Sequence, residues 1–261
     1  MIESVEALCA LRGTIARIEG QRGVGAPAPA PLGHAPLDAA IGGGLARGRL
    51  HELFAAQPED AGAAAGFAAM LALLALPSDR PLLWLRQDEA EHGAGLLHPP
   101  GLAEIGLDPS RLVLVALPDP VALLRAAAEV VRCTQVGVAV IEPWRRPRAL
   151  DLTASRRLAI AAEASGVTAL MLRTNAEPGP SAALARWSVT AAASIALEAD
   201  APGHPTFDLA LLRQRGGPAG GRWRLEWDRE RIRFREPALS RAVPTPAAGR
   251  SLAGRASRHA G

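Results

Sequence analysis

The apolar positions Ile2, Val5, Leu8, Leu11, Ile15 and Ile18 recur at spacings of three and four, which predicts one amphipathic helix over residues 1–19. That stripe must be buried, either on the core that follows or on another molecule. Residues 20–31 read GQRGVGAPAPAP, a Gly/Pro/Ala linker expected to support neither helix nor ladder. From Leu32 the pattern becomes short apolar runs alternating with helical stretches, as in a parallel sheet wound with helices. Strands are predicted at residues 49–55, 81–86, 111–117, 136–141 and 167–173, and helices at 61–76, 101–105, 120–132 and 151–165. Such a doubly wound sheet carries its site at the C-terminal ends of the strands. Later the period falls to two: 194–199, 207–215 and 222–227 read as strands, and Ile232 with Phe234 suggests one more. The expected architecture is therefore α/β, a mostly parallel sheet over residues 32–236 with an antiparallel C-terminal extension. Residues 237–261 carry Arg241, Arg250, Arg255 and Arg258 without an acid and read as a disordered basic tail.

Composition narrows this picture. A chain of 261 residues suffices for one buried α/β core with extensions, whereas two domains would each be small. Hydrophobic residues make up 49% and charged residues 21%, ordinary for a soluble globule. The apolar stretch 61–76 is rich in alanine, spans 16 residues and stops at Pro77. A membrane span needs roughly 20 strongly apolar residues, so a buried helix is expected and no membrane partner. Glu3, Glu6 and Arg12 interrupt the N-terminus where an export signal would be apolar, which places the protein in the cytoplasm. Cys9 and Cys133 fit no metal-ligand spacing, so two buried reduced thiols and no metal site are expected. Every one of the 29 basic Lys-plus-Arg residues is arginine, which excludes chemistry that needs a lysine amine of this chain.

Residues 33–53 read GHAPLDAAIGGGLARGRLHEL, and in them Leu37, Asp38, Gly42 to Leu45, Gly48, Arg49 and Glu52 follow one another as they do where the RecA ATPase core begins. Further along, the acidic cluster Asp88 to Glu91, the pair Leu107-Asp108, the run from Val136 to Glu142 and the terminal FDLALLRQRGGPAGGRWRLEW keep the same order. The chain thus resembles RecA-type proteins from about Leu32 to Trp227. Among them its length, lost motifs and basic tail resemble the ImuA family of damage-inducible mutagenesis proteins, also called SulA-like. The resemblance implies a RecA-like core and partnership with an ImuB-like inactive Y-family polymerase homologue and, indirectly, an error-prone replicative polymerase. RecA itself or a second copy of this chain is a further candidate partner.

The departures from RecA matter as much. A working phosphate loop needs glycine N–H groups around the phosphates, a lysine for the outer ones and a hydroxyl for magnesium. The corresponding stretch, AAQPEDAGAAAG, has Gly62 as its last loop glycine, with Ala63 and Ala64 where lysine and threonine belong. Glu59 and Asp60 add negative charge beside the phosphate position. Glu142 stands in the place of the magnesium-side aspartate and reads as a solvated strand-end acid; Asp88 to His92 reads as a charged loop. No cofactor is expected.

Both segments that would form RecA's DNA loops are short here. Trp144, Arg145, Arg146 and Arg148 remain a candidate DNA contact, because arginine neutralises phosphate and an aromatic face stacks a base. The alternative for them is an indole packed on the sheet edge with arginines in water. By resemblance to the RecA filament, where such a helix docks on a neighbour, the stripe from Ile2 to Ile18 is the candidate partner or self-association surface. The expected function is non-enzymatic: an adaptor in SOS-induced repair and translesion mutagenesis. The alternatives are a RecA-like ATPase with an unusual phosphate loop and a cell-division inhibitor.

Overall fold

The protein is represented by a computed structural model that describes residues 27–217 and 220–237. The predicted N-terminal helix and its stripe, and the basic tail beyond Pro237, lie outside the described residues. Among the described residues the strands are β1 (Leu50–Ala55), β2 (Leu82–Gln87), β3 (Leu112–Leu117), β4 (Val138–Glu142), β5 (Thr168–Arg173), β6 (Ala185–Ala191), β7 (Thr206–Gln214), β8 (Arg222–Asp228) and β9 (Arg233–Arg235). The helices are α1 (Ala35–Ala40), α2 (Ala61–Ala75), α3 (Asp88–Ala94), α4 (Pro99–Glu104), α5 (Pro120–Arg132) and α6 (Leu152–Ser165). One sheet runs in the order β3-β2-β4-β5-β1-β6-β7-β8-β9, parallel as far as β6 and antiparallel beyond it. The predicted class, a mostly parallel α/β sheet with an antiparallel C-terminal extension, is the one observed.

Alternation along the strands divides the core between two faces. Leu53, Leu170, Leu172, Trp187 and Val189 pack under α2, whose alanines let the helix lie close to the sheet. The same layer ends in an aromatic group, with the Phe67 ring 5.3 Å from Phe234 and Trp227 4.8 Å from Phe234. Offset and tilted rings at such distances contribute beyond their buried area. Leu50, Ala139, Ile141 and Met171 face the other way, under α5 and α6. These helices start where the sequence supplies caps: Asp119 accepts from Val121 and Ala122 N–H at 2.8 Å, and Asp151 accepts from Ala154 N–H at 2.7 Å. α6 ends at Gly166 with φ 80°, a left-handed position suited to glycine.

The structure also explains the run of residues that carried the resemblance. Asp38 accepts hydrogen bonds from the N–H groups of Leu32 and Gly33 at 2.8 and 3.1 Å, and Leu37 is fully buried. Gly44, at φ 128°, lies so close to the Ala30 carbonyl that no Cβ fits.

Several expectations are corrected. The end of the linker makes one isolated bridge, in which Ala30 and Leu45 exchange two N–H to carbonyl hydrogen bonds of 2.8 Å. The strand expected at 194–199 is irregular, and the real one is Ala185–Ala191, in which Trp187 and Val189 are buried between β1 and β7. Ile232 sits in the turn before β9 at φ 49°, and only Phe234 lies in the strand. Cys133 is exposed rather than buried, since it caps the end of α5 facing water; Cys9 lies outside the described residues. No helix of the described residues is long and apolar enough to cross a membrane.

Candidate functional site

Where a phosphate loop would stand, β1 passes to α2 through Ala56, Gln57 and one tight turn at Pro58–Asp60. Asp60 is 6% exposed and closes this turn with its own carboxylate: one oxygen accepts from the Gln57 N–H at 3.1 Å, the other from the Ala191 N–H of β6 at 2.8 Å. The Ala56 N–H donates to the Val189 carbonyl at 2.9 Å. The turn is therefore stitched to β6 rather than open. The carboxylate stands at the N-cap of α2 without bonding that helix's own N–H groups, and its charge lies beside the place where a helix favours an anion. Gly62, Ala63 and Ala64 form the first turn of α2 and offer no amine or hydroxyl; Ala64 is fully buried.

Glu142 ends β4 and is separated from β1 by β5 in the sheet. It is not the solvated acid expected from sequence: it is 0% exposed. Trp84 donates its indole N–H to Oε2 at 2.8 Å, and the Arg86 guanidinium lies 3.0 Å away through Nε. Arg86 also donates through Nη2 to the Ala90 carbonyl at 3.2 Å. Burial raises the Glu142 carboxyl above its usual range, against the opposing pull of Arg86 and the Trp84 hydrogen bond. The carboxylate is thus spoken for by β2, which places Trp84 and Arg86 beside it in register.

Asp88, Glu89, Glu91 and His92, expected as a loop, form the helix α3, because Gln87 holds an extended cap position and acids suit a helix's first turn. Among the described residues no group of three His, Cys, Asp or Glu side chains stands close enough to hold a metal ion.

The segment between β4 and α6 carries the candidate DNA contacts. The Trp144 N–H donates to Gln87 Oε1 at 3.1 Å, and its indole lies against Gly93 of α3, leaving no room for a Cβ there. That ring is half-buried and taken up by packing. Arg145, Arg146 and Arg148 are exposed, and Arg145 has φ 56°.

Sequence reading missed a second buried ionic group, on the face of the sheet that α6 covers. Glu52 of β1 meets Arg186 of β6 at 2.7 Å and Arg173 of β5 at 3.8 Å. Both guanidinium groups stand over the Phe54 ring, at 5.3 and 5.6 Å from its centroid. Burial lowers the Arg173 pKa, with Glu52 opposing and Arg186 and Arg146 adding to the shift. The available signal was one acid or arginine in each of three strands, Glu52, Arg173 and Arg186.

No family model matches the chain. Two curated relatives do: the proteins named Protein ImuA from two strains of Caulobacter vibrioides, NA1000 / CB15N and ATCC 19089 / CIP 103742 / CB 15. Each is 32% identical over 199 residues, covering 71% of this chain and 77% of the relative. Among solved structures, the crystal structure of the RadB recombinase matches with a TM-score of 0.53 at 17% identity, over 79% of this chain and 99% of that one. That likeness supports the RecA-like fold expected from sequence. With an ImuA relative of that identity and coverage, and the sheet expected of a RecA-type core, the chain belongs to the ImuA family.

Proposed function

We propose that this protein is a non-catalytic accessory factor of SOS-induced DNA repair and translesion mutagenesis, bridging an ImuB-like inactive Y-family polymerase homologue and an error-prone replicative polymerase. The observation that carries the reading is Asp60. Its carboxylate stands at the N-cap of α2, tied to the Gln57 and Ala191 N–H groups, so a phosphate arriving there meets a fixed negative charge. Ala63 and Ala64 supply neither the cation nor the hydroxyl that phosphoryl transfer requires. Glu142, held by Arg86 and Trp84, is engaged in a structural pair. Family membership supplies the biological setting, and contacts supply the activity.

The test has two arms. Titration of the full chain with ATP and Mg²⁺ by calorimetry is expected to give no micromolar binding; micromolar affinity, or hydrolysis above background, overturns the non-catalytic reading. A pull-down from DNA-damaged cells is expected to retain the polymerase homologue on the full chain. Deleting residues 1–20 is expected to change oligomeric state or partner binding, and no change in either removes the N-terminal stripe from the reading.

A further inference from the structure

The face of the sheet opposite α2 is covered by α5 and α6 only as far as β1. Beyond it, no helix of the described residues lies over β6, β7 and β8 on that side, where Ser188, Ala210 and Arg222 stand in one cross-strand row, and Thr190, Asp208 and Arg224 in the next. Along the flank of α6 this floor deepens into a cleft of about 390 Å³, and over β6–β8 it continues as a groove of about 500 Å³. Leu212 lines the groove and its chain neighbour Arg213 lines the cleft, so the two hollows adjoin at the end of β7 and together make up the trough.

The trough carries a surplus of positive charge. Its carboxylates are already engaged, Glu163 with Arg49 at 2.6 Å and Asp208 with Arg224 at 2.7 Å. Arg156, Arg213, Arg215 and Arg222 are exposed, and among the described residues no carboxylate lies within salt-bridge distance of them. Among these arginines stand aliphatic side chains facing water: Leu152 and Ile160, 51% and 58% exposed, flank Arg156 on one stripe of α6, and Leu212, 43% exposed, lines the adjoining groove. A phosphodiester strand has no use for exposed leucine and isoleucine, and it favours aromatic faces for its bases. Trp223 borders the groove but packs against Trp187 on the other face, with ring centroids 6.4 Å apart, and Phe54 is buried beneath Arg173 and Arg186. Arginine with interleaved aliphatics instead matches carboxylates flanking an apolar stripe.

We propose that this trough docks an acidic amphipathic helix of a partner protein. The floor strands already have neighbours on both sides, so the occupant is held by side chains rather than by strand addition. α6 runs for 14 residues, roughly 21 Å, which sets the wall against which about four turns of a partner helix lie. The inference rests on the adaptor reading and gives one of its contacts a place and a chemistry.

The probe is a labelled peptide of about five helical turns with leucine at every third or fourth position and glutamate on both flanks. Fluorescence anisotropy with the full chain is expected to give micromolar binding, weakened at least about tenfold by Leu212→Ser and by the pair Arg213→Glu, Arg215→Glu. These positions are exposed, and thermal melts confirm that the variants fold. No binding, or equal binding by the variants, overturns the proposal. So does a single-stranded oligonucleotide that binds through Arg213 and Arg215 yet ignores Leu212→Ser, which would assign the trough to nucleic acid. Peptide binding that appears only once residues 1–20 are deleted would make the chain's own N-terminal segment the occupant, and overturns it too. The polymerase homologue separates the two claims. If the wild-type chain does not retain it, the adaptor reading fails; if wild type and Leu212→Ser retain it alike, only the trough assignment falls.

Discussion

Glu142 lies at 0% exposure against the Arg86 guanidinium and the Trp84 indole N–H, and Arg86 is itself 2% exposed. Removing one member of such a pair leaves the other charge buried without compensation, a loss of about 3–5 kcal/mol, whereas replacing both with apolar groups of similar volume is close to neutral. Glu142→Ala is therefore expected to lower stability by that amount in urea unfolding, and Glu142→Leu combined with Arg86→Met to restore most of it. His51 shows the opposite solution, a buried base kept neutral. It is 2% exposed, its Nε2 lies 2.8 Å from the Ala46 carbonyl, and burial lowers its pKa from 6.5 to about 4. The unfolded chain therefore binds a proton that the folded chain refuses between those two values. His51 leaves stability intact above pH 6.5 and removes it as pH falls toward 4, by about 3 kcal/mol in all. Urea unfolding across that range is expected to show this slope, and His51→Leu to flatten it.

At the scale of elements, the Asp60 carboxylate ties the turn between β1 and α2 together through the N–H groups of Gln57 and Ala191. Asp60→Ala removes the acceptor shared by those two donors, which belong to exposed residues, at about 0.5–1.5 kcal/mol for each hydrogen bond lost, and loosens β6 from the turn. Hydrogen exchange at Gln57 and Ala191 is expected to quicken well before the rest of the sheet, and unchanged protection there would contradict the latch. Elements were readable where period and caps agree: α5 begins with Asp119-Pro120 and ends at Arg132 as expected, and β1, β2, β3 and β5 fall within a residue or two of their predicted bounds. β6 escaped although Arg186, Trp187, Ser188, Val189 and Thr190 alternate polar and apolar. The competing stretch 194–199 holds Ile195 and Leu197 at similar spacing, and only pairing with both β1 and β7 decides between them. Propensity describes a pleated surface and does not choose which segment finds two neighbours.

For the whole molecule, the sequence by itself determined the class of fold, the order of its elements and one chemical fact: a chain without lysine carries no amine for an outer phosphate. These follow from local period and from composition, which need no knowledge of what lies nearby in space. Only the tertiary structure decided that Glu142 is buried and Cys133 exposed, that Glu52 gathers Arg173 and Arg186, and that arginines from α6, β7 and β8 share one trough. The partners of Glu142 are 56 and 58 residues away and Arg186 is 134 residues from Glu52. A charged side chain's environment is set by the strands beside it, and strand order is not written in the period of any single strand.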